Sequence, residues 1–100
     1  MATTNLQAQF KEHLLNLARR SNDEIQYHPG YFIKMVKTQG GVGAAKTLLA
    51  LPQASEGFDV LRKLGRLDLS MEAAVIEHPW SSLFTSNELA ICRARLGIES

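Results

Sequence analysis

Residues 31–49 read YFIKMVKTQGGVGAAKTLL, and the spacing of their apolar side chains decides the fold class. Phe32, Met35 and Val36 recur at the i, i+3, i+4 interval of one helix face, as do Val42, Ala45, Leu48 and Leu49. Between the two runs stands Gly40-Gly41. A glycine there adopts the left-handed backbone that closes a helix, because it has no Cβ to clash. The spacing predicts a central helical hairpin whose two stripes face one core.

Working outward, each flank carries punctuation for another helix. On the amino-terminal side, Thr4-Asn5-Leu6-Gln7 has the form of a capping box, and Leu6, Phe10, Leu14 and Leu17 follow on one face. Ser21, Ile25 and His28 continue that face, which predicts one long helix running toward Tyr27 and stopping before Pro29. Pro29 suits the first turn of the hairpin, and Pro52 blocks its continuation past Ala50.

On the carboxy-terminal side, Ser55 is placed to cap a helix that buries Phe58, Leu61 and Leu64, and Gly65 to end it with Leu67 packing back. Ser70 caps a short helix through Met71, Ala74 and Val75, with Glu72 near its positive end. Trp80, Leu83 and Phe84 read as a connector that inserts its rings into the core. Thr85-Ser86-Asn87-Glu88 is a further capping box, Leu89, Cys92 and Leu96 the last stripe, and Gly97 its terminator. Without alternating strand patterns or repeats, the expectation is all-α: five to six short helices around one core in a single domain, 1–100.

Composition narrows the classes. A chain of 100 residues with 45% hydrophobic side chains fills one core, and 21% charged residues with net charge +1 does not suit a disordered chain. No apolar run approaches the ~20 residues that cross a bilayer, so no membrane partner is expected. The amino-terminal residues are polar and give no sign of a secretory leader. The one cysteine, Cys92, suits a reducing compartment, and the expected location is cytoplasmic.

Charge is unevenly spread. The acid-free stretch between Glu24 and Glu56 holds Lys34, Lys37 and Lys46, and the basic segment 25–66 adds Arg62, Lys63 and Arg66. From Leu67 to Ala90 there is no Lys or Arg, only Asp68, Glu72, Glu77 and Glu88. These two surfaces suit complementary docking within or between monomers, or the basic one meets an anionic partner such as nucleic acid. Tyr27 and Tyr31, beside Lys34 and Lys37, either stack bases or pack a helix junction.

At the glycines the order of residues becomes familiar: Pro29, Phe32, Met35, Gly40-Gly41, Ala45-Lys46, Leu48-Leu49, Gly57-Phe58, Leu61, then Gly65-Arg66-Leu67-Asp68-Leu69-Ser70-Met71-Glu72, Trp80, Leu83-Phe84-Thr85, Glu88 and Ala94-Arg95-Leu96. It is similar to a small helical domain that recurs in bacterial proteins, free-standing and as a tail on longer chains, to which no activity is assigned. The resemblance spans nearly everything after Pro29 and implies a compact bacterial helical fold. It supplies no catalytic residues.

Catalytic motifs are hard to find. Gly40 to Thr47 imitates a phosphate-binding loop, but Ala45 stands where the motif needs glycine and no strand precedes it. As a DNA-reading motif, the same hairpin would present Val42, Gly43, Ala44 and Ala45 to base edges, and these offer no donors. His13, His28, His78 and Cys92 share no metal-ligand spacing. Arg66 and Asp68 are better placed to lock a turn than to hold a ligand. The sequence therefore predicts no catalytic, cofactor or metal site. It predicts a non-enzymatic module that binds a protein partner or itself, with nucleic-acid binding through the basic segment, and then an uncharacterised enzyme, as alternatives. The candidate contact residues are Lys34, Lys37, Lys46, Arg62, Lys63, Arg66, Tyr27 and Tyr31.

Overall fold

A computed structural model describes residues 5–98. Five α-helices and two 3-10 turns follow one another, and no strand occurs among the described residues. The helices are α1 (Leu6–Ile25), α2 (Gly30–Leu49), α3 (Glu56–Lys63), α4 (Met71–Val75) and α5 (Ser86–Leu96); the turns are Leu67–Leu69 and Trp80–Leu83. The all-α expectation holds, although α1 is long, at 20 residues; α2 consists of two shorter helices that meet at Gly40.

Helix α1 begins where Asn5 accepts the backbone N–H of Gln7 at 2.8 Å. Thr4, the other half of the expected capping box, lies outside the described residues. The helix is continuous past Ser21 but stops at Ile25 rather than running toward Tyr27. Gln26 takes the left-handed backbone at φ 53°, and the Ser21 hydroxyl donates to Tyr27 O at 3.0 Å, drawing the chain off the helix axis.

The hairpin takes the form of one hydrogen-bonded run, α2, bent at a single residue. Gly40 has φ 80° and ψ 166°, a region essentially reserved for glycine, and it divides α2 into arms 30–39 and 41–49. Met35 and Val36 from the first arm and Ala44, Ala45 and Leu49 from the second are buried in the same core. The Thr47 hydroxyl lies 2.8 Å from Gln39 Oε1 and 2.9 Å from Gly43 O, so it ties the end of one arm to the other. Gly41 answers to space rather than to torsion. A Cβ there would sit 2.8 Å from Lys11 Cα, so α2 crosses α1 backbone against backbone.

The remaining helices follow their local signals closely. Ser55, Ser70 and Thr85 accept from the N–H groups of Phe58, Ala73 and Glu88, and Thr85 with Glu88 completes a reciprocal box. Each such cap stabilises its helix by about 1 kcal/mol. Gly65 (φ 72°) and Gly97 (φ 75°) end α3 and α5, where Arg66 N–H donates to Leu61 O and Ile98 N–H to Arg93 O. These are the six-to-one bonds of a left-handed helix stop.

Phe10 is the hub of the core. It is fully buried, with the Trp80 ring 5.6 Å away and the Phe84 ring edge-on at 5.5 Å. The connector thus inserts its rings as its composition implied. The Cα radius of gyration is 12.9 Å, close to the ~13 Å of a one-core domain of this length. One expected core residue is misplaced: Leu64 is 51% exposed. It occupies the cap position of α3, where the helix ends before its stripe returns to the core.

Candidate functional site

The eight candidate contact residues do not form one surface. Lys46, on the second arm of α2, reaches Glu88 of α5 at 2.7 Å and lies 5.3 Å from the Phe84 ring centre. Burial opposes ionisation of Glu88, but the Lys46 ammonium and the Thr85 donors hold its carboxyl below the usual range. Arg66 clasps both Asp68 oxygens, at 3.0 and 3.1 Å, and also Glu24 at 2.6 Å. Asp68 titrates low because of the Arg66 hydrogen bond, and Glu24 because of those from Arg20 and Arg66. Arg62 leans on Asp59 at 3.4 Å.

Three of the six basic side chains are therefore spent on neighbouring carboxylates. Lys34, Lys37 and Lys63 are exposed and have no carboxylate within ion-pair distance among the described residues. Tyr27 and Tyr31 belong to a different feature altogether.

That feature is a groove of about 530 Å³ beside the first arm of α2. It runs between the carboxy-terminal half of α1, the first arm of α2, α3 and the start of α4. Tertiary contacts explain the gap. Helix α3 rests chiefly on the Leu67–Leu69 turn, and Phe58 and Leu61 line the groove together with Phe32 and Met35 of α2. Tyr27 stands at one edge, so close to α3 that a Cβ on Gly57 would lie 3.1 Å from its hydroxyl. Burial, and next the nearby Glu56, raises the Tyr27 phenol above its ordinary value. Tyr31, 79% exposed, and Leu51, 46% exposed, extend the apolar lining onto the rim.

The groove is mostly apolar, and its polar groups are unequal in what they offer. Ser21 donates to Tyr27 O and Ser70 to Leu67 O, while Ser55 accepts from Phe58 N–H, so the three serine hydroxyls serve the fold. At the floor lies Glu72, only 2% exposed. Burial drives its carboxyl pKa up, against the pull of its own backbone N–H and of Arg95, whose Nη1 is 3.1 Å from Oε2. Arg95 also donates to Leu48 O at 3.3 Å and Leu51 O at 2.9 Å. One guanidinium of α5 therefore fixes both the floor of the groove and the end of its α2 wall.

Sequence reasoning missed the Glu72–Arg95 pair, because 23 residues separate the partners and Glu72 already had a local explanation at a helix start. Cys92 lies nearby, fully buried, and burial followed by the Glu72 charge pushes its thiol up to about 12. A thiol so placed does not supply a nucleophilic thiolate at neutral pH. No cluster of three or more His, Cys, Asp or Glu side chains suited to a metal ion occurs among the described residues. Nor is any helix among them long and apolar enough to cross a membrane. No protein-family model, curated protein or solved structure matches the chain.

Proposed function

We propose that the chain is a non-enzymatic interaction module that takes an apolar segment of a partner protein into the groove beside α2. The observation that carries this reading is the continuity of apolar surface from the groove wall to the exposed rim at Tyr31 and Leu51. A protein rarely leaves a large ring at such exposure beside a concave apolar wall unless something covers both. A helix laid into a groove by side chains one turn apart is the common solution for a wall of this kind. The lining serines are used by helix caps and turns, Glu72 is tied to Arg95, and no two of the remaining titratable groups, Tyr27, His28, Tyr31 and Glu56, are joined by a hydrogen bond of the kind an acid–base pair needs.

Selection of phage-displayed peptides against the whole chain tests the proposal, with binders mapped by amide chemical shifts. Selected peptides should move the signals of residues 27–35 and 55–61, and Tyr31→Glu should weaken them about tenfold, or 1.4 kcal/mol. Binders that map only to α5 or to the outer face of α1 would sink it.

Nucleic-acid binding is a second reading, favoured by the three exposed lysines alone. With Lys34, Lys37 and Lys63 as the only free cations of segment 25–66, the logarithm of affinity should fall with that of salt at a slope no steeper than about −2.7. A mobility shift that survives Lys→Glu at all three positions would dispose of it. For location, we place the chain in the bacterial cytoplasm. The resemblance noted from sequence suits a bacterial source, and the single buried thiol, Cys92, suits a reducing compartment. Fractionation that recovers the chain in the periplasm would overturn this.

A further inference from the structure

The charge of the groove lining differs from that of the rest of the chain. Two carboxylates, Glu56 at the mouth and Glu72 at the floor, line it, with His28 as the single basic side chain and no Lys or Arg. Glu72 is balanced from behind by Arg95, which leaves Glu56 as the uncompensated charge at the opening. Glu56 is exposed, forms no ion pair within reach among the described residues, and sits in the first turn of α3. Around it the lining carries four aromatic rings, Tyr27, Tyr31, Phe32 and Phe58. None of these rings is stacked on another aromatic ring among the described residues.

Aromatic faces carry negative potential and attract ammonium and guanidinium groups, more strongly where water is partly excluded. A carboxylate beside such faces adds to that attraction, while a lining without Lys or Arg gives an acidic ligand no permanent countercharge.

From this charge arrangement we infer that the segment received by the groove is cationic: apolar anchor side chains one helical turn apart, flanked by Lys or Arg rather than by Asp or Glu. The inference rests on the groove being the docking site. It runs opposite to the simplest reading of the basic segment, which expects an acidic partner. The anionic mouth sits within a chain whose net charge is +1, so general electrostatic attraction does not favour a basic peptide. Preference for one would have to come from the groove itself.

Three designed peptides provide the test. Each is about 14 residues long, near the length at which an isolated helix becomes marginally stable. All share Leu and Phe anchors at i, i+3, i+4 and i+7, with Lys, Gln or Glu at the positions between. Titrated into the isotope-labelled full chain, the Lys peptide should bind in the groove more tightly than the Gln peptide. The Glu peptide should be the weakest, about tenfold below the Lys peptide. Glu56→Gln should reduce the Lys-over-Glu ratio by about threefold and leave the Gln peptide unchanged. Equal or tighter groove binding by the Glu peptide, or a ratio unmoved by Glu56→Gln, overturns the inference while leaving the groove as a docking site. If no peptide moves the signals of the groove residues, the docking site falls and the inference falls with it.

Discussion

On the side of α2 that faces α1, the two backbones come so close that a single added carbon on Gly41 would lie 2.8 Å from Lys11 Cα. Along its first arm, between Ala18 and Ser21 of α1 and Phe58 and Leu61 of α3, the same helix lines a groove of about 530 Å³. Both sides are apolar, and both adjoin the core around Phe10 and Leu14. What separates them is the means of closure. The α1 crossing is shut at Gly41, whose missing Cβ lets the two backbones touch. The α3 side is spanned by a long charged pair, Glu72 with Arg95, that reaches under the gap without filling it. A small domain can thus keep a concave surface without collapsing, provided a polar strut holds its floor.

The contrast breaks most visibly at the strut. Arg95→Met should cost about 3–5 kcal/mol in urea unfolding, because Glu72 is left buried without its partner. The double variant Arg95→Met with Glu72→Leu should recover most of that loss, since apolar replacements of a buried pair are often neutral. Failure of the double variant to recover would show that the Arg95 bonds to Leu48 O and Leu51 O, rather than the ion pair, hold the wall.

On the sealed side, Gly41→Ala should cost about 1–3 kcal/mol by overpacking the α1 crossing. Gly40→Ala, with nothing within 4 Å of the added carbon, should cost a similar amount for a different reason, its φ of 80°. Because the nearest neighbours of the Gly41 carbon are Lys11 backbone atoms, side-chain changes at Lys11 should rescue neither variant.

The pH dependence separates the regions by sign. The Glu72 carboxyl is raised above its ordinary 4.5 by burial, so between its unfolded and folded values the native state holds more protons. Its contribution to stability therefore falls as pH rises through that window, and wild type should lose ground to Glu72→Gln over it in paired urea melts. Glu88 is held low beside Lys46, so its contribution is present above the unfolded value and lost as pH falls through the folded one. Glu88→Gln should show the opposite slope. Smallest of all, Tyr31→Ala should change stability by less than about 0.5 kcal/mol, since the ring is 79% exposed. A larger loss would mean that the rim is part of the packed interior.

How far the sequence spoke depended on distance along the chain. Ser55, Ser70, Thr85, Gly65 and Gly97 act within six residues of themselves, and each stood where its local pattern implied. Gln26 did not announce its left-handed turn, because that conformation usually belongs to glycine and here depends on Ser21 bonding to Tyr27 O. Leu64 fitted the α3 stripe by period, but period does not say where a short helix leaves its support. The basic residues were visible as a segment and the Arg66–Asp68 lock as a local pair, yet the pairing with Glu24 and Glu88 depends on how the helices cross. The groove was the least legible. Its walls come from four helices, and the gap between α2 and α3 is a property of what α3 rests on instead.

The one-residue bend at Gly40 also fixes the lengths of the segments it joins. Each residue of a helix turns the next by about 100° and advances it by about 1.5 Å. One residue inserted after Gly41 would therefore rotate Ala44, Ala45 and Leu49 off the interior together and carry Lys46 away from Glu88. With no slack loop to absorb the error, natural relatives of this chain should vary in length beyond Ala50 and be rigidly invariant in spacing from Gly40 to Leu49.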